Sequence, residues 1–122
     1  MLRLLVVDDE RDICDFVKNF FKERDFDVIM AYNGQEALEK IEAEDPDIIL
    51  LDIKMPVMGG LEVLKALQGR GKKVIMVTAV EDGEKARDAK KWGAVEYITK
   101  PLMLEQLERT VMTVAEQIKM EG

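Results

Sequence analysis

Ile48-Ile49-Leu50-Leu51-Asp52 is an unbroken aliphatic run that stops on a carboxylate. A run this short and rich in branched side chains suits a β-strand. Its lack of polar alternation suits a strand covered on both faces, in the middle of a parallel sheet. Three further runs repeat the pattern. Leu4-Leu5-Val6-Val7 leads into Asp8-Asp9, Val74-Ile75-Met76-Val77 into Thr78, and Tyr97-Ile98-Thr99 into Lys100. As parallel strands of one sheet, the four runs bring all these polar residues to one edge.

The segments between the runs read as helices. Residues 10–24 place Ile13, Phe16, Val17, Phe20 and Phe21 on one helical face. A short strand follows at 28–31, then the Asn33-Gly34 turn and a helix with Ala37, Leu38 and Ile41 inward. Asp45-Pro46 ends that helix, because the residue before proline avoids helical geometry. Residues 60–68 form a short helix closed by Gly69 and Gly71. Residues 81–91 form a polar helix with only Ala86 and Ala89 as an apolar seam. A fifth strand is expected at 95–98, and a last helix carries Leu104, Leu107, Val111, Val114 and Ile118. Those five also match a coiled-coil seam, but over only about two heptads, so packing on the sheet is the favoured reading. Met112 and Met120 lie off that seam and are expected to face outward. Short strands alternating with helices imply right-handed crossovers and helices on both faces of the sheet. The 122 residues read as one domain, 1–122, with no output domain.

A net charge of −7 argues against binding nucleic acid or an anionic membrane surface. No apolar stretch approaches the roughly 20 residues of a spanning helix, and a cytoplasmic protein is expected. Cys14 is the one cysteine, flanked by apolar residues, and reads as a core residue rather than a reactive thiol. The chain has no histidine, which excludes histidine-dependent triads and metal sites. Any phosphoryl group must come from another molecule and be taken by a carboxylate.

Each edge residue has a plain structural explanation when taken alone. Asp8 or Asp9 would serve as a helix N-cap, Thr78 as a local cap, and Asp52 and Lys100 as turn residues. Their joint placement favours a site, because ligands in open α/β sheets bind outside the carboxyl ends of the strands. Clustered carboxylates repel, and hard oxygen ligands favour Mg²⁺ (or Mn²⁺). Asp52, ending the central strand, is then the best-placed nucleophile for an aspartyl phosphate. Lys100 offers a charge for phosphate and Thr78 a neutral donor.

The runs LLVVDDE, ILLDIKMPVMGG, IMVTA and YITKP together resemble the receiver domain of two-component response regulators. The resemblance implies a flavodoxin-like (βα)5 three-layer sandwich with strand order 2-1-3-4-5. It makes Asp52 the phosphoacceptor, Asp9 a direct metal ligand, Asp8 a ligand through water, and the backbone carbonyl of Lys54 a further ligand. Thr78 and Lys100 would hold the phosphoryl oxygens, and the Lys100–Pro101 bond would be cis. Thr78 and Tyr97 would form the switch, read out on the fourth helix, fifth strand and fifth helix. The implied partners are a sensor histidine kinase or histidine phosphotransfer protein and a target protein. Lys54 and Val80 fall where the family tunes dephosphorylation. Gly59-Gly60 departs from the usual Asp or Asn before glycine, which removes a capping side chain.

Two other classes compete. An aspartyl-nucleophile phosphatase would carry a second aspartate at position 54, where this chain has Lys54. A flavodoxin-like cofactor binder would need free amides after the first strand, where Asp8-Asp9-Glu10 would repel phosphate. Within the receiver reading, a phosphorelay intermediate and a terminal switch stay open.

Overall fold

A computed structural model describes residues 1–79 and 83–121. The chain alternates β1 (Arg3–Val7), α1 (Arg11–Lys22), β2 (Asp27–Ala31), α2 (Gly34–Glu44), β3 (Ile48–Asp52), α3 (Gly60–Ala66), β4 (Lys73–Thr78), α4 (Gly83–Lys91), β5 (Glu96–Thr99) and α5 (Leu104–Glu121). The strands pair in parallel in the order β2-β1-β3-β4-β5. This is the flavodoxin-like order expected from the sequence, and β3, the wholly apolar run, is central and buried along its length.

Alternation along the strands splits the core into two layers. Leu4, Val6, Ile48, Leu50, Ile75 and Val77 face α1 and α5, against Cys14, Val17, Phe21, Leu107, Val111 and Val114. Leu5, Val7, Ile49, Leu51, Val74 and Met76 face the other helices, against Ala37, Ile41, Val63, Leu64 and Ala89. The sheet is therefore the middle of three layers. Among the described residues no helix is long and apolar enough to cross a membrane.

Several expectations shift in detail. β5 starts at Glu96 rather than at residue 95, and Val95 is exposed just before it. At this sheet edge only Ile98 is buried, so the strand needs little apolar sequence to mark it. Phe16 is 46% exposed and lies off the α1 core face, which is Cys14, Val17 and Phe21. Leu104 is likewise exposed at the first residue of α5, where Ala115 joins the buried stripe instead. Met112 packs against the core, contrary to the outward position expected, whereas Met120 is exposed. The α5 seam is spent on the sheet. Residues 81 and 82, expected to open α4, lie outside the described residues, as does Val80.

Local signals fix the loops that carry the edge residues. Asn33 caps α2 by accepting from the Glu36 amide, while Glu36 reaches back to the Tyr32 amide. Asp45 ends α2 in the left-handed region at φ 46°. Gly59 stands at the N-cap of α3 with no side-chain cap, as its lack of a side chain requires.

Candidate functional site

Strand register decides which polar residues meet. Val7 pairs with Leu51, Asp52 with Val77, and Thr78 with Thr99, so each run ends at one level of the sheet. The edge is held by backbone bonds from Asp8 N–H to Ala31 O (3.2 Å) and from Ile53 N–H to Val77 O (3.1 Å). Asp8 and Asp52 are buried and Asp9 is exposed, yet carboxylate oxygens of all three lie within 4.8 Å of one another. Lys100 Nζ reaches in to 3.1 Å from Asp52 Oδ2 and 3.7 Å from Asp8 Oδ2. The helix-cap explanation for the acidic pair does not hold: Glu10 is the N-cap of α1, without a side-chain cap. Asp8 Oδ1 instead accepts from the Glu10 amide at 2.9 Å, a local turn bond.

The electrostatics follow from crowding and burial. Burial is the main reason the Asp8 carboxyl is pushed up to about 6; Asp52 and Asp9 add to it, and the Glu10 amide and Lys100 oppose it. Burial also raises the Asp52 carboxyl, against the pull of Lys100 and an N–H donated by Lys54. For Lys100, burial works against the ammonium, but Asp52, Asp8 and Glu10 outweigh it and raise its pKa. Two carboxylates that resist ionisation beside a third make a site short of positive charge. Lys100 supplies one charge, and three oxygen donors with no thiolate or imidazole are the donor set of a hard divalent cation such as Mg²⁺.

Thr78 ends β4 and is buried. It lines a cavity of about 410 Å³ with Ala86, Lys90, Tyr97 and Thr99. Tyr97 is 43% exposed, with Lys90 Nζ 5.0 Å from its ring centre. Asp8, Asp9, Asp52 and Lys100 thus form one cluster, while Thr78 and Tyr97 share a second cavity beside it. Lys54 lies two residues past Asp52 on the β3–α3 loop, and the Lys100–Pro101 bond is cis.

Sequence reading overlooked what holds that loop. A Cβ added to Gly60 would lie 2.1 Å from the Asp52 carbonyl oxygen, so only glycine lets α3 start this close to β3. Gly34 N–H donates to Met58 O at 3.1 Å, and a Cβ there would lie 2.4 Å from the same oxygen. Cys14, a core residue as expected, also lies with Sγ 3.4 Å from the Asp8 carbonyl and donates to it. The glycines were visible in the sequence, but their contacts are long-range and carry no local pattern.

Known proteins share this fold and length. The family described as the response regulator receiver domain matches residues 4–112. The chemotaxis protein CheY of Listeria monocytogenes is 42% identical, over 89% of this chain and 98% of its own. A CheY-like receiver domain protein from Methanospirillum hungatei superposes with a TM-score of 0.89 at 36% identity, covering 100% of this chain and 99% of the other. A response regulator receiver domain protein from Clostridium thermocellum gives 0.92 at 26% identity, covering both chains fully. A matching profile over most of the chain, a close relative of the same length and the 2-1-3-4-5 sheet agree: the chain belongs to the response regulator receiver domain family of two-component signalling.

Proposed function

We propose that this chain is a phosphorylation-activated switch in which Asp52 takes a phosphoryl group from a phosphohistidine on a partner protein. The observation that carries the reading is the meeting of Asp8, Asp9 and Asp52 with Lys100 at 3.1 Å, on the edge where the family places this chemistry. Asp9 and Asp52 would hold Mg²⁺ with the Lys54 carbonyl, and Asp8 would act through water. When bound, the cation offsets carboxylate charge and stabilises charge building on the phosphoryl oxygens. An Asp52 oxygen attacks phosphorus, the P–N bond breaks, and the electron pair leaves with the imidazole. Lys100, already paired with Asp52, is placed to transfer its ammonium to a phosphoryl oxygen. These 122 residues contain no histidine to serve as that donor.

In this reading Thr78 turns toward the phosphoryl group and Tyr97 moves from its exposed position into the shared cavity. The altered α4–β5–α5 face then binds a target protein in the cytoplasm. A sensor histidine kinase or histidine phosphotransfer protein would be the donor. A phosphatase reading has no comparable support, because Lys54 stands where its acid–base aspartate belongs.

Incubation with Mg²⁺ and a small phosphodonor should label the wild-type protein and leave Asp52→Ala unlabelled. Equal labelling of the two proteins would rule out Asp52 as the acceptor.

A further inference from the structure

The loop between Asp52 and α3 carries a strained backbone turn at Val57. Val57 has φ 68°, the left-handed region, and the Met58 N–H donates back to Pro56 O at 2.7 Å. That hydrogen bond spans two residues, so Val57 is the centre of a γ-turn of the rare positive-φ kind. A β-branched side chain fits this region poorly. Its side chain gains nothing by packing, since Val57 is 82% exposed.

Strain of this kind persists only where the surroundings fix it, and here both sides of the turn are anchored. On the far side, the Met58 carbonyl accepts from Gly34 N–H at the start of α2, and the Gly60 N–H donates to Ile53 O at 2.9 Å. On the near side, the Lys54 N–H donates to the Asp52 carboxylate. The loop is a short arch from the reacting carboxylate to α2, with the strained turn as its bend. Val57 lies three residues along this arch from Lys54.

Building on the proposed function, we infer that Val57 is a positioning residue for the metal and phosphoryl site. Its γ-turn restricts the arch to the shape in which the Lys54 backbone faces Asp52. Glycine at position 57 adopts the same φ without strain but also samples many other shapes. Binding would then have to order the arch, and ordering one residue's backbone weakens affinity by about fivefold or more. The mark of such a residue is that relieving it leaves the fold as stable or stabler while the site binds worse. A merely structural residue moves both in one direction.

The test compares wild type, Val57→Gly and Val57→Asn. Each is melted over a Mg²⁺ titration, because the metal-dependent rise in Tm reports the Kd without any turnover. Labelling by a small phosphodonor is timed in parallel. Val57→Gly is expected to melt no lower than wild type in metal-free buffer, to bind Mg²⁺ about fivefold more weakly, and to label more slowly by a similar factor. Val57→Asn, which tolerates left-handed backbone but restrains it, is expected to recover most of the affinity. A Kd for Val57→Gly within twofold of wild type overturns the inference, as does a lower metal-free Tm. A wild-type protein that neither binds Mg²⁺ nor labels overturns the functional reading beneath it, so the two failures are distinguishable.

Discussion

Asp52 has two unlike flanks. Toward β1, the neighbouring acid Asp8 is buried and α1 is fastened by Cys14, Val17 and Phe21, with Phe21 meeting Phe20 and Phe26 edge-to-face at 5.0 and 5.5 Å. Toward β4, Thr78 is buried but the side chains that α4 buries are Ala86 and Ala89, and Tyr97 stands exposed over a cavity of about 410 Å³. Large aromatic burial makes the first flank expensive to displace, whereas two methyl groups do little to hold the second. One edge of one sheet therefore joins a fixed wall to a loosely fastened one. Within the proposed function, the fixed wall would keep carboxylates in register while the loose wall answers their occupancy.

Stability measurements should separate the flanks most sharply. Phe21→Ala removes a fully buried ring, and a loss of about 3–5 kcal/mol in urea unfolding is expected. Ala89→Gly in α4 removes one methyl and some helix propensity, for about 1 kcal/mol. Equal losses would erase the contrast and leave α4 as firmly held as α1.

Acid titration probes the charge on each flank. Asp8 in the fold sits at about 6 against an ordinary 3.8, so the folded state holds that proton more tightly than the unfolded chain. Its contribution is therefore fully present below about pH 4 and lost as pH rises through 6. In metal-free buffer, Asp8→Asn should be the more stable protein at pH 7–8, by no more than about 3 kcal/mol. That advantage should fade toward pH 4. Thr78 carries no charge, so the same subtraction for Thr78→Val should be flat with pH. A flat difference for Asp8→Asn would mean the wall beside β1 bears no charge cost.

How far the sequence reveals these flanks follows from the range of the forces involved. The strand leading into Asp8 and those ending on Asp52 and Thr78 are legible because burial on both faces writes an unbroken aliphatic run. The site followed from them, since parallel register carries the run ends to one edge. β5 was misplaced by a residue because an edge strand with a single buried side chain writes almost no pattern. Phe16 and Leu104 read as inward because helical periodicity marks apolar positions without showing which of them the fold covers. Gly34 against Met58, and the turn at Val57, were invisible because they join residues through backbone geometry. Val57 even reads as an ordinary apolar residue.

The smallest effect tests where the loose wall is fastened. Gln68 Nε2 donates to the Trp92 carbonyl, and Lys65 Nζ lies 5.0 Å from the Trp92 ring centre. Gly93, at φ 99°, turns the chain out of α4 there. These contacts clasp the C-terminal end of α4 to α3, while Ala86 and Ala89 are all its own side chains bury. An exposed polar clasp is worth little to the whole fold, so Gln68→Ala should lower global stability by less than about 1 kcal/mol. The local consequence should be larger in proportion. Amide exchange in α4 should quicken while α1 stays protected, and the emission of Trp92, the chain's one tryptophan, should shift toward that of a more exposed ring. Should exchange quicken equally in α1 and α4, the clasp would belong to the global fold, and the two walls beside Asp52 would move as one.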